Sequence, residues 1–172
     1  MKKKDHLPMM GVGPVFGIGI IVLTILGIAL SIRHIVPVFK AEAVMGILRV
    51  LGIIFILSGL YMWYAAVFRA KIDDGILGNH LVTIGIYAWV RNPIYSAFLI
   101  ACTGVLLIYG NLYLLVLPFV YWGFLTVLMK HTEEKWLGEL YGQEYEEYCR
   151  QVNRCIPWKR KNSDLFGSRM KR

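Results

Sequence analysis

Charge is scarce in this chain. Asp, Glu, Lys and Arg together make up 17% of its 172 residues, with 11 acidic residues against 19 Lys and Arg. Cysteine is sparser still. Of the three, Cys102 falls inside an apolar run, while Cys149 and Cys155 lie near the C-terminal end. That number and placement exclude a disulfide framework, and the spacing matches no zinc site, so all three are read as free thiols. No His-centred catalytic constellation is present, and no metal is implied. What fills the chain instead is hydrophobic: 57% of residues, with mean hydropathy +0.55. Such a composition excludes an ordinary soluble domain and points to a polytopic membrane protein of the all-α class, folded as a single domain over residues 1–172. The net charge of +8 does not indicate nucleic acid, because the cations flank apolar runs with few interleaved aromatics. Anionic lipid headgroups account for them better.

The charge-free runs set the spans. Pro8 to Ile32 holds 25 residues without a charge, longer than the apolar core of a signal peptide and with no small-residue cleavage motif behind it. A first transmembrane helix is expected at 13–32. Its string GVGPVFGIG lacks the preceding strand and the acidic partner of a nucleotide loop, so its glycines are assigned to helix packing. A polar link at 33–45 leads to a second span at 46–68, ending in the aromatic run Tyr61-Met62-Trp63-Tyr64, an interfacial belt or one wall of a lipid-facing cleft. The loop RAKIDDGILGNH (69–80) is rich in turn formers, and Asp73 and Asp74 read as solvated.

The stretch that organises the remainder is VTIGIYAWVRNPIY, residues 82–95. Asn92-Pro93 breaks the chain and launches a helix, since proline suits the first helical position and biases its predecessor away from helix. Arg91 is thereby held where an apolar helix begins. Alone, it reads first as an interfacial anchor. The next forty residues change that. No charge occurs from Asn92 to Met129, and one helix of that length would reach about 57 Å against a hydrocarbon core of about 30 Å. The run must fold back, and Gly110-Asn111 is the evident turn, with Tyr109 and Tyr113 beside it. Counted from that turn, Arg91 and the Glu133-Glu134 pair end within about 5 Å of the same height. The second arm, 112–129, contains Pro118, which should kink it unless neighbouring groups satisfy the freed carbonyl.

Beyond Lys130 the helix is expected to continue through HTEEKWLGELYG, pause at Gly142, and resume as the amphipathic QEYEEYCRQV. Leu137, Leu140, Tyr141, Tyr145 and Tyr148 recur at helical spacing. This segment is either an interfacial helix or a cover over the site, ended by Pro157 and followed by a basic tail, 159–172.

Taken in order, Thr83 to Tyr95 (T-x-G-x-Y-x-x-V-R-N-P-x-Y), Glu133-Glu134, Tyr141–Tyr148 (YGQEYEEY) and Arg154–Trp158 (RCIPW) resemble the isoprenylcysteine carboxyl methyltransferase and phospholipid methyltransferase superfamily. The resemblance covers residues 80–158. It implies an integral-membrane enzyme using S-adenosylmethionine, with Gly85, Tyr87, Val90, Arg91, Asn92, Pro93, Tyr95, Glu133, Glu134, Tyr145 and Tyr148 at cofactor-binding positions, and Arg91, Glu133 and Glu134 nearest the chemistry. Asn92 stands where many members carry histidine, and Ser96-Ala97 where a glycine is frequent. Asparagine does not titrate near neutrality and shuttles no proton.

Methyl transfer from a sulfonium needs alignment more than acid or base. A carboxylate acceptor is already ionised at neutral pH, whereas an amine must first lose a proton. Arg91 suits a carboxylate as a two-pronged donor, Glu133 and Glu134 an ammonium or a diol, and the tyrosines an adenine or sulfonium face. The resemblance implies an acceptor that is lipid-like or prenylated, and the lack of an evident base ranks a carboxylate first and a phospholipid amine second. A transporter would place ionisable groups at mid-membrane, where the later spans have none. A purely structural membrane protein gives no reason for Arg91 and the glutamates to meet. With four spans and both termini cytoplasmic, 16 of the 19 cations lie inside, leaving Arg33, Lys40 and Arg49 outside, so the site is expected to face the cytoplasm.

Overall fold

The computed structural model describes residues 12–40, 42–69 and 81–157. Expectations for Lys2–Lys4, for Asp73, Asp74 and the rest of the 70–80 loop, and for the tail from 158 onward lie outside the described residues. Within them the chain is helical, with no strand beyond a single bridge between Val90 and Asn153. The helices are α1 (Gly13–Ile32), α2 (Met45–Tyr64), α3 (Pro93–Tyr109), α4 (Leu117–His131), α5 (Glu133–Tyr141) and α6 (Gln143–Gln151).

Three apolar segments are long enough to cross a membrane: Gly13–Ile32, Glu42–Arg69 and Leu112–Tyr141. The second includes a 3-10 turn, Glu42–Val44, before α2 and a wider π turn, Ala65–Arg69, after it. α3 has 17 residues, about 25 Å of helix, a little short of a full hydrocarbon core. Exposed side chains along these helices are apolar, among them Ile47, Ile54, Leu57, Phe119 and Val127. Lipid is the solvent that suits such a surface.

α3 is the hub, with α2 packed along one side and α1 on another. The α2–α3 seam is made of small residues. A Cβ built on Gly52 would lie 2.6 Å from the carbonyl oxygen of Gly104, and one on Gly59 would lie 2.8 Å from that of Ala97. Lipid tails are as apolar as leucine, so helices in a bilayer gain from close backbone approach rather than from leaving water. Glycine at these positions permits that approach. On the other side, Phe16 and Ile20 of α1 join Tyr95, Cys102 and Leu106 of α3 and Tyr121, Leu125 and Met129 of α4 in the main core. Thr24 and Tyr121 share a buried hydroxyl–hydroxyl hydrogen bond of 2.8 Å.

The hairpin turns at Gly110-Asn111. Gly110 closes α3 at φ 78°, where an L side chain would be strained. Fully buried Asn111 ties the tip together. Its Oδ1 accepts from the N–H groups of Tyr113 and Phe39 at 3.2 and 3.1 Å. Its Nδ2 donates to Ser31 Oγ and Pro37 O at 2.8 and 3.0 Å. The chain enters the second arm through a 3-10 turn, Leu112–Val116, and regular α geometry begins at Leu117, one residue before Pro118. One expectation is corrected here: Pro157 does not end the last helix. α6 stops at Gln151, where Val152 turns extended (φ −121°, ψ 132°) and the following residues pair with the chain before α3.

Candidate active site

Gly85, at φ 62°, opens a 3-10 turn, Gly85–Ala88, that buries Tyr87 and Ala88. Beyond it the chain runs extended for a few residues. Arg91 N–H donates to Asn153 O at 2.9 Å, and Asn92 N–H to Arg154 O at 3.1 Å. Asn92 Nδ2 adds a second contact to Arg154 O at 3.2 Å. Fully buried Val90 anchors this clasp, and Pro93 then starts α3. Two arginines more than sixty positions apart in sequence are thus set side by side.

Between them stands one carboxylate. Glu134 Oε1 lies 3.2 Å from Arg91 NH1. Arg154 grips the same carboxylate with both prongs, Nε to Oε1 at 2.6 Å and NH2 to Oε2 at 2.8 Å. The row reads plus, minus, plus. The side chains are only 9% (Arg91), 15% (Glu134) and 19% (Arg154) exposed, so water screens them weakly. Arg91 NH1 also reaches Tyr145 Oη at 3.4 Å and Cys149 Sγ, its guanidinium carbon 6.0 Å from the Tyr145 ring centre. Beside the row opens a cleft of about 400 Å³ lined by Arg91, Cys149, Arg150 and residues 151–154. Among the described residues Arg91 Nε is buried without a hydrogen-bond partner, a donor that could serve a ligand or water.

α6 covers this arrangement from above. Tyr145, Tyr148 and Val152 pack with Leu81, Leu137 and Tyr141, and Tyr148 Oη donates to Tyr87 O at 2.7 Å. Burial pushes the Tyr145 and Tyr148 phenols and the Cys149 thiol up from their ordinary pKa values. Burial also moves Cys155 up to about 11. The hydrogen bonds that Arg154 donates to Glu134 hold its guanidinium still more firmly protonated. At neutral pH the described residues here thus present two guanidiniums, the Glu134 carboxylate paired between them, and neutral phenols and thiols.

The expected residues separate into three groups. Arg91, Glu134 and Tyr145 converge beside the cleft, Arg91 forming part of its lining and the other two meeting Arg91. Gly85, Tyr87, Val90, Asn92, Pro93 and Tyr148 shape the backbone that holds Arg91. Glu133 and Tyr95 turn the other way: Tyr95 Oη donates to Glu133 Oε1, which also accepts from Val12 N–H at 2.8 Å. Arg154 and Cys149 were not among the expected site residues. The string Arg154–Trp158 marked the segment, but nothing in spacing alone assigns its arginine to Glu134.

A family model described as phospholipid methyltransferase matches residues 14–144. The chain belongs to the phospholipid methyltransferase family. Shorter matches join this family member to curated proteins. Protein-S-isoprenylcysteine O-methyltransferase of Schizosaccharomyces pombe is 40% identical over 78 residues, 45% of this chain and 33% of that protein. The protein of the same name from Saccharomyces cerevisiae is 38% identical over 79 residues, 45% of this chain and 33% of that protein. A probable protein-S-isoprenylcysteine O-methyltransferase of Oryza sativa subsp. indica is 35% identical over 81 residues, 46% and 42% of the two chains. The chain thus spans roughly a third to two-fifths of these relatives' lengths. No solved structure matches it.

Proposed function

We propose that the chain is a multi-pass membrane methyltransferase that takes its methyl group from S-adenosylmethionine and passes it to a lipid-tailed acceptor, an isoprenylcysteine-like carboxylate. The observation that carries this reading is the Arg91–Glu134–Arg154 row beside a cleft at the mouth of an apolar hairpin. A zwitterionic amino-acid end extends such a row without leaving a charge unpaired, its ammonium against Glu134 and its carboxylate against Arg91 or Arg154. The free Nε of Arg91 fits the same assignment. When bound, S-adenosylmethionine would supply an electrophilic methyl on a sulfonium. The chain's part is to hold that end still, and to close the space with the α6 tyrosines so that water is kept out. Among the described residues the carboxylate of the row, Glu134, is held by two arginines rather than free to act as a base, and an ionised carboxylate acceptor needs no proton removed. The names of the matched relatives support the same acceptor class.

Four spans complete the proposal. α3 is short but lies between two crossing segments, and a helix of that length is accommodated by local thinning or by leaning on its neighbours. The cation bias puts both ends and the Arg91 site on the cytoplasmic side. The family match reaches from α1 into α6, which supports reading the chain as one unit. A membrane-impermeant thiol label is expected to reach Tyr113→Cys and Glu144→Cys, both exposed positions, from opposite faces. Labelling of both from one face contradicts the four-span arrangement.

The second reading is N-methylation of a phospholipid amine, favoured by the description of the family model. Supplying methyl-labelled S-adenosylmethionine to membranes that hold the protein, then treating the lipid extract with mild alkali, decides between them. Label released as volatile methanol is the expected result. Alkali-stable label in the phospholipid fraction overturns the carboxylate acceptor in favour of the amine, and label confined to water-soluble molecules overturns the lipid acceptor.

A further inference from the structure

The two glutamates at the start of α5 are neighbours in sequence but not in space. Successive residues of a helix project about 100° apart, so both cannot face one cleft. Glu134 turns to Arg91 and Arg154. Glu133 turns to the opposite side, where its Oε1 accepts from Val12 N–H at 2.8 Å and from Tyr95 Oη. Val12 is the N-cap residue of α1, and its own side chain offers no cap. The carboxylate of Glu133 therefore serves as the cap, placed where the dipoles of α1 and α5 both favour a negative charge. Tyr95 is clamped from the other flank. Its ring lies 5.8 Å from that of Phe16, edge to face, and a Cβ on Gly13 would sit 3.5 Å from its hydroxyl. One carboxylate thus ties together the entry of α1, the first turn of α3 and the first residue of α5.

We infer that Glu133 is a positioning residue: it fixes the start of α5 against α1 and α3, and so sets the orientation in which Glu134 meets the two arginines. This rests on the reading of the Arg91–Glu134–Arg154 row as the cofactor site, and it divides a pair that the sequence presents as one motif. Glu134 touches the ligand. Glu133 acts through it.

The two glutamates respond differently to the same change. Glutamine keeps an oxygen that can accept from Val12 N–H and Tyr95 Oη but carries no charge for an ammonium. In purified, detergent-solubilised full-length protein, Glu133→Gln is expected to bind S-adenosylmethionine within about threefold of the parent, whereas Glu134→Gln weakens binding about thirtyfold or more. Glu133→Ala, which removes the cap, is expected to weaken binding about tenfold per folded molecule, and adding Tyr95→Phe to it should cost little more because both remove one contact. Recovery of affinity in Glu133→Gln relative to Glu133→Ala supports the inference, and a purely structural role would lower the folded fraction while leaving the affinity of folded molecules unmoved. Equal weakening in Glu133→Gln and Glu134→Gln overturns it, because Glu133 would then meet the ligand directly. Parental affinity in Glu133→Ala also overturns it. If Glu134→Gln binds as the parent does, the site reading itself fails, whatever Glu133 does. Should Glu133→Ala not fold, Glu133→Gln alone still decides between positioning and ligand contact.

Discussion

Replacing Glu134 by alanine is expected to lower methyl transfer about 100- to 1,000-fold while leaving the protein inserted in the membrane. The change removes the one acid that both arginines share, a contact of 3.2 Å to Arg91 and a double contact of 2.6 and 2.8 Å to Arg154. Breaking a buried pair by deleting one partner costs about 3–5 kcal/mol, mostly from the charge left behind. The partial exposure of all three side chains places this case near the lower end, and about 3 kcal/mol corresponds to a little over 100-fold. Two guanidiniums without their carboxylate would also repel, so the clasp between residues 90–92 and 153–154 should loosen. Arg91→Lys is expected to lose most of the same activity, because an ammonium lacks the planar fork. Turnover by Glu134→Ala within threefold of the parent, measured on membranes with equal protein content, would return Arg91 to the role of a headgroup anchor.

The largest effect on stability is expected at the opposite end of the hairpin. Asn111→Leu strands the N–H groups of Phe39 and Tyr113 and removes the donors to Ser31 Oγ and Pro37 O. Each buried polar group left unpaired costs about 1–3 kcal/mol; three of the four bonds are only part-buried and Tyr109 still bonds to Ser31 Oγ at 3.0 Å, so a net loss of about 2–3 kcal/mol is expected. The site lies at the other end of α3, so the folded fraction should keep its affinity for S-adenosylmethionine. The check is thermal unfolding in detergent alongside binding. An unchanged midpoint would mean that the tip is held by helix packing rather than by Asn111.

The membrane-facing part of the fold was legible in the sequence because charge is expensive in hydrocarbon. Runs free of Asp, Glu, Lys and Arg placed α1 and the long α2 segment, and the length of the run after Arg91 required the turn found at Gly110-Asn111. The same arithmetic put Arg91 and the glutamates at one height, and the 3.2 Å contact to Glu134 follows from it. Height is only one coordinate. Rotation about the helix axis decides which glutamate faces Arg91, and the 100° step between Glu133 and Glu134 was available from helix geometry without being applied. Arg154 was hidden for a different reason. It reaches Glu134 through extended backbone paired with residues 91–92, and such pairing leaves no periodic mark on the sequence. Pro157 was read through the helix-breaking habit of proline, yet it follows a helix already ended by pairing at Asn153 and Arg154, whereas Pro118 stands where the 3-10 turn gives way to α4. The tyrosines Tyr87, Tyr95 and Tyr148 were expected as faces for a ligand. All three are buried: Tyr148 bonds to Tyr87 O beside Arg91, and Tyr95 bonds to Glu133 on the other side.

The central claim is that the Arg91–Glu134–Arg154 row binds the zwitterionic end of S-adenosylmethionine. Titration calorimetry of the purified full-length protein with S-adenosylmethionine tests it directly, run beside Arg91→Ala and Glu134→Gln. The account predicts saturable binding at one site in the parent, weakened about thirtyfold or more in each variant. Saturable binding that is equally tight in all three proteins, or none in the parent, would contradict it.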